Sequence, residues 1–243
     1  HVKVLDERVV ERAKRAGLDA LVYAPHFERL PAIRERASSF SDDDLLVVPA
    51  REVFTGDWKN RKHVLAVGLD DPVPDFITLS GAVAELDRQG AAILVPHPEF
   101  ATVSLDADDI ATLPVDAVET YNPKQRASGG EERAAAVARE VDLPAFGSSY
   151  AHLRGTVGEV WTAFEDPLPS EAALVDALKS GAPRTVFHRD GEAHVARCLA
   201  EFAHLGWENS WEKFDRVVLT DVEPTNPRAE GYDDRFAELN AYR

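Results

Sequence analysis

The stretch Ala91-Ala92-Ile93-Leu94-Val95-Pro96-His97-Pro98 restricts the fold of this chain more than any other. The apolar run has the length of one buried strand, too short for a core helix. Prolines on both sides of His97 forbid helix there and bring the imidazole out at the strand's end. The pattern recurs at Leu21-Val22-Tyr23-Ala24-Pro25-His26, and in variant form at Phe146-Gly147-Ser148-Ser149-Tyr150-Ala151-His152. In α/β barrels and open sheets, sites are built at the carboxyl ends of the strands. Three strand-end histidines from distant parts of the chain therefore predict one shared site.

The rest of the chain supplies the alternation such a fold needs. Strands are predicted over 18–24, 45–48, 63–68, 91–95, 115–120, 143–148, 157–164 and 184–187, with a polar excursion over 55–62. Helices are predicted over 6–16, 27–40, 77–89, 105–113, 131–140 and 170–179. Strands alternating with helices imply parallel βαβ units, and their number favours a barrel over an open sheet. Residues 1–187 are read as the barrel and 188–243 as a helical C-terminal extension packed on it. The extension's helix, 192–205, is expected to turn Val195, Leu199 and Phe202 inward and to keep His194 and His204 away from the site. Trp161, Trp207 and Trp211 are read as packing residues, and His188 as structural or solvated.

Charge is the strongest compositional signal: Lys and Arg number 27 against 43 Asp and Glu, a net −16. Such a surface repels phosphate backbones, which argues against general nucleic-acid binding. Arg-rich basic residues and Asp runs such as Asp42-Asp43-Asp44 resemble proteins of a salt-loaded cytoplasm, so a halophilic archaeal source is expected. That origin would make the acidity proteome-wide, leaving nucleic acid a permitted partner that nothing indicates. The single Cys198 excludes an internal disulfide and a Cys-rich zinc site. There is no methionine, even at position 1, so the true start is expected upstream. With no membrane-length apolar run and no signal pattern, a soluble cytoplasmic protein without a membrane partner is expected. Nothing bears on oligomeric state.

His26, His63, His97 and His152 lie on or beside predicted strand ends, His1 lies at the edge of the chain, and Glu52 follows the second strand. Neutral imidazole and carboxylate are the natural ligand set for zinc, manganese or iron. Arg154, two residues after His152, has the chemistry to grip a phosphate, and Lys124 after Asn122 is a weaker substrate-binding candidate. The competing role for Arg154 is a surface ion pair. Arg51 flanks Glu52 but should point the opposite way in an extended segment.

Six ordered blocks carry a family resemblance: Gly17-Leu18-Asp19-Ala20 through His26, Pro49-Ala50-Arg51-Glu52, His63-Val64-Leu65-Ala66-Val67, Pro96-His97-Pro98, Glu119-Thr120-Tyr121-Asn122, and Gly147 to His152. Their order and spacing resemble the polymerase-and-histidinol-phosphatase (PHP) family over roughly residues 1–165. The resemblance implies a distorted (β/α)7 TIM-like barrel with two or three divalent ions, zinc, manganese or iron, that hydrolyses phosphoesters. The implied metal ligands are His1, His26, Glu52, His63, His97 and His152. Glu52 would bridge two ions, with His63 and His97 on the second and His26 and His152 on a third. Glu52, His97 and His152 would form the catalytic centre. The implied substrate is a phosphorylated small molecule, a nucleotide or an oligonucleotide end.

The chain departs from that pattern around one ion. The family's opening His-x-His is here His1-Val2-Lys3: either the first histidine lies upstream, or Lys3 replaces a ligand. The loop after that pair is shorter than usual. The closing Asp-x-His reads Tyr150-Ala151-His152, and Pro25 stands where an Asp often precedes the histidine. Tyr150 motivates a rival reading, a barrel that has lost catalysis and serves as a binding scaffold. A third reading, an amidohydrolase-like barrel, lacks the carboxylated lysine and strand-end Asp it would need.

Overall fold

The computed structural model describes residues 1–57, 60–100, 103–218 and 224–242, with the helical backbone alone for 208–218. Its short apolar runs become strands because both of their faces are covered. β1 (Ala20–Tyr23), β2 (Leu46–Thr55), β3 (Lys62–Val67), β4 (Ala92–Val95), β5 (Ala117–Tyr121) and β6 (Ala145–Gly147) form one six-stranded sheet in chain order. α1 (Glu7–Ala16), α2 (Leu30–Phe40), α3 (Leu79–Arg88), α4 (Ala107–Ala111), α5 (Pro123–Ser128) and α6 (Glu131–Glu140) intervene. Local signals set the helix limits: Asp6 caps α1 by accepting from the Val9 N–H, and Gly17 ends it with φ 81°.

Period-2 alternation divides the strand residues between two cores. One face gathers Ala24, Val48, Ala50, Leu65, Val67, Ala92, Leu94, Ala117 and Phe146. The other packs Val53, Val64, Ala66, Ile93, Val95 and Val118 against Val83 and Leu86 of α3 and Val137 of α6. The sheet's two ends meet on Val2. Its N–H donates to Val22 O and its carbonyl accepts from the Ala24 N–H, while the Lys3 N–H donates to Ala151 O beyond β6. The sheet is thus curled as a half-barrel, consistent with a distorted TIM-like barrel, and the first face is its interior.

Not all of the expected parallel units form. β1–β2, β4–β5 and β5–β6 pair in parallel, but β2–β3 and β3–β4 are antiparallel. The polar link 56–61 is too short for a crossover and permits only a hairpin. Residues 68–78 then carry the chain back to the end of β2, where the Phe76 N–H donates to Phe54 O, before α3 runs down to β4. β7 (Val160–Phe164) and β8 (Arg184–His188) are an antiparallel pair outside the main sheet, with α7 (Glu171–Lys179) between them in sequence. α7 puts Leu174 and Leu178 into the interior core.

In the C-terminal part, α8 (Glu192–Val218) reverses the expected orientation. Val195, Leu199 and Phe202 are exposed, as is Trp207, while His194, Cys198 and Glu201 are buried. The inward side is polar because it meets polar groups: Glu201 accepts from the main-chain N–H of His152 and Leu153, and His194 pairs with Glu159. Trp211 lies outside the described side chains. α9 (Arg235–Glu238) seats Phe236 in the outer core. Among the described residues, no helix is long and apolar enough to cross a membrane.

Candidate metal centre

The interior alternation continues past the apolar part of each strand, and there the residues become polar. Val22 and Ala24 lead to His26, Val48 and Ala50 to Glu52, Ala117 to Glu119, and Phe146 to Ser148. β3 runs the other way, so its polar interior residue comes first: His63 precedes Leu65 and Val67, and stands opposite Phe54 of β2. His97 does not follow the alternation of β4. It has φ 37°, and its N–H donates to Glu119 Oε2 at 2.9 Å. A histidine there is uncommon backbone, held by the buried Glu119.

Neighbours set the tautomer of the His97 ring. The Ser104 hydroxyl lies 2.6 Å from His97 O and 2.7 Å from Phe100 O, so its one proton is committed to the main chain. Nδ1 of His97, 3.0 Å from that hydroxyl, then donates to it. In the neutral ring Nε2 is left as an acceptor, 3.0 Å from Glu52 Oε1. Two acceptors face each other there, an arrangement that a cation between them stabilises.

Glu52 is fully buried, and its two oxygens face different sets of partners. Oε1 meets His97 Nε2 and His63 Nδ1, the latter at 3.1 Å. Oε2 accepts from the Lys3 ammonium and lies 3.4 Å from His26 Nε2 and 3.9 Å from His1 Nε2. Ligand atoms of Glu52, His63 and His97 all fall within 4.8 Å of one another. The Nε2 atoms of His1, His26 and His63 are buried with no hydrogen-bond partner. Orphaned imidazole nitrogens around a carboxylate fit a divalent ion of the zinc, manganese or iron kind.

The electrostatics keep the donors in ligating form. Burial pushes the Glu52 carboxyl up, but the Lys3 ammonium first, and then the imidazoles ringing it, outweigh that and hold it well below the usual range. Burial lowers His63 to about 4 against the pull of Glu52, and drives His26 and His152 well down. Burial likewise lowers Lys3, opposed by Glu52. His26, His63 and His152 are therefore neutral and Glu52 charged at neutral pH.

The remaining expected residues are placed as follows. His152 packs its ring 5.1 Å from that of His26. His1 lies with Nδ1 3.1 Å from Ser148 Oγ, whose proton goes to Glu119. Tyr150 is buried with φ 41°, its ring 4.9 Å from His1 and 5.3 Å from both His97 and His152. Lys124 is buried rather than open to a cleft, with Nζ 3.5 Å from the centre of the Tyr150 ring and 3.9 Å from Glu201. Arg154 lies on the rim, exposed, with Nε 2.5 Å from Asp6. A cleft of about 540 Å³ opens beside the centre, lined in part by Lys3, Arg36, His152 and Arg154. His204, expected to stay away, brings its ring to 6.3 Å from His152, whereas His194 is engaged with Glu159 and Tyr121. Arg51 points away from the centre and pairs with Asp75 at 3.0 Å.

Sequence reasoning left out Glu119, Ser104, Ser148 and Glu201 as supporting residues. Alternation from Ala117 could have found Glu119, while Ser104 and Glu201 had no signal in the sequence.

Together these features define a curled α/β sheet with a histidine–carboxylate centre of metal-binding type at its mouth. Residues 131–183 match the family described as PHP-associated, which supports a PHP relationship through α6, β6, the Gly147–His152 segment, β7 and α7. No curated protein matches the chain. Among solved structures, PsfC from Pseudomonas syringae PB-5123 is similar at TM-score 0.65 and 21% identity, over 87% of this chain and 96% of that one, which shows a shared fold. Endonuclease Q, solved with a 27-mer duplex substrate bearing an abasic lesion, is more distant, at TM-score 0.48 and 14% identity over 76% of this chain and 56% of its own.

Proposed function

We propose that the chain is a PHP-type, metal-dependent hydrolase of phosphate esters, with Glu52, His63 and His97 as its metal ligands. The observation that carries this reading is the convergence of those three buried side chains, with the acceptor nitrogen of His97 aimed at Glu52. A divalent ion there would supply Lewis acidity and a water of lowered pKa, the chemistry that phosphoester hydrolysis requires. Glu119 and Ser104 fix the backbone and ring of His97, and Glu201 fixes the main chain at His152. His152 lines the cleft, with His26 packed against its ring, and a phosphoryl group would enter there. Arg154 at the rim is free to grip that group only by giving up Asp6. A nucleotide, a sugar phosphate and an oligonucleotide end all fit this chemistry.

The test is metal content by elemental analysis, together with hydrolysis of p-nitrophenyl phosphate and bis(p-nitrophenyl) phosphate with manganese or zinc. Wild type should bind metal and turn over at least one ester, and His97→Ala should lose both properties. If wild type holds no metal and matches His97→Ala on both esters, the reading is wrong and the scaffold alternative stands.

A further inference from the structure

The two oxygens of Glu52 offer two places for a cation, and the chain fills one of them itself. We propose that the Lys3 ammonium is a built-in cation on Glu52 Oε2, in place of a second metal ion, so that the centre holds one divalent ion on the Oε1 side. This rests on the metal-centre reading above and replaces the expectation of two or three ions.

Position comes first. His1 and Lys3 lie on one side of the short strand segment whose middle residue, Val2, is buried in the core, so both reach the centre. Lys3 donates to Oε2, the oxygen that His1 Nε2 and His26 Nε2 also approach, at 3.9 and 3.4 Å. A metal ion using those two nitrogens would need the same oxygen.

Charge gives the second argument. On the Oε2 side, Glu52 is the one carboxylate paired directly with Lys3, His1 and His26 among the described residues; Glu119 acts on Lys3 only through space and is already bonded to Ser148, Asn122 and the His97 N–H. Tyr150 lies beside His1 and supplies a ring rather than a second anion. That ring carries two ammonium groups near its centre, Lys124 Nζ at 3.5 Å and Lys3 Nζ at 5.3 Å. A second dication placed here would share one carboxylate with the first ion and face two lysines. Two cations close together require more anionic charge than this side provides. On the Oε1 side the described contacts are the imidazoles of His63 and His97, and no ammonium or guanidinium bonds to that oxygen there.

The experiment counts ions and asks whether they are coupled. The full chain, stripped of metal and titrated with manganese, is followed by elemental analysis and by electron paramagnetic resonance. Wild type should saturate at one ion per chain with the sextet of an isolated manganese. Lys3→His removes the fixed charge and supplies a ligand nitrogen. It should double the bound manganese and replace the sextet with the broadened signal of an exchange-coupled pair. Lys3→Gln, which removes the charge alone, should move in the same direction. Wild type binding a coupled pair overturns the proposal and leaves the metal centre standing. So does a folded Lys3→His that still binds one isolated ion. Absence of manganese from both wild type and His97→Ala removes the metal-centre reading, and this proposal with it. Should the lysine variants fail to fold, the wild-type count and spectrum decide alone.

Discussion

Glu52 and Glu85 are both buried acids ringed by nitrogen donors, the first at the mouth of the sheet and the second on α3. Glu85 accepts from Arg88, Gln89 and Arg235 at 2.8–3.0 Å, all permanent donors whose geometry satisfies both of its oxygens. Glu52 has one ammonium donor, Lys3, and otherwise faces imidazoles, three of which (His1, His26 and His63) keep a buried Nε2 with no hydrogen-bond partner. Burial and hydrogen bonding are shared by the two acids and do not mark a site. What separates them is the under-satisfied character of the imidazoles around Glu52. Glu85 ties α9 to α3, whereas Glu52 has coordination left to give.

The largest effect should come from exchanging the two losses. Glu52→Gln should weaken metal binding by more than about 100-fold, since even outer-sphere partners are worth about 10–100-fold. Glu85→Gln should leave binding unchanged, and calorimetric titration with zinc or manganese reads both. Equal loss in the two variants would erase the distinction.

Next in size is the stability linked to the metal. At 100 times its dissociation constant, a ligand confined to the native state adds about 2.7 kcal/mol. Thermal melts with and without zinc should show such a gain in wild type and Glu85→Gln, and none in His97→Ala. A gain that survives His97→Ala would place the ion elsewhere.

Acid separates the pair in a third way. Burial raises the Glu85 carboxyl, but hydrogen bonds from Arg88, Arg235 and Gln89 outweigh it and bring it to about 2, from an ordinary 4.5. A depressed carboxyl pKa adds stability above the unfolded value and loses it as pH falls towards the folded one. The stability gap between wild type and Glu85→Gln should therefore be constant above about pH 5 and shrink between 4.5 and 2. Denaturant melts across that range measure it. A gap that widens in acid would mean that Glu85 is not held ionised by its arginines.

The smallest effect belongs to the rim. Arg154→Ala breaks an exposed ion pair with Asp6, worth under about 1 kcal/mol, and should leave metal content intact. Loss of metal in this variant would move Arg154 from the rim into the centre.

Much of the centre is legible as alternation carried one step beyond the apolar part of a strand. Ala24 to His26 and Ala50 to Glu52 can be read directly from the sequence. β3 could not be oriented that way, because a hairpin link and a crossover both read as polar until the residues available are set against the distance to be covered. His97 has the right neighbours in sequence, but its aim depends on a left-handed backbone that Glu119 holds from a different strand. α8 shows the limit most clearly. Val195, Leu199 and Phe202 share their spacing with His194, Cys198 and Glu201, shifted by one residue. Hydrophobicity selects the first stripe, and the polar groups waiting on the barrel select the second.

The seam at Val2 also has a kinetic consequence. It joins β1 on one side and Ala151 on the other, so the curled sheet is held by contacts between residues far apart along the chain. Closing so long a loop carries an entropic cost that local helices do not face, and high contact order slows folding. Lys3 and His1 reach Glu52 only once that seam has formed. Refolding should therefore recover helical circular dichroism first and competence to bind manganese last, which makes the centre the late product of folding rather than its nucleus.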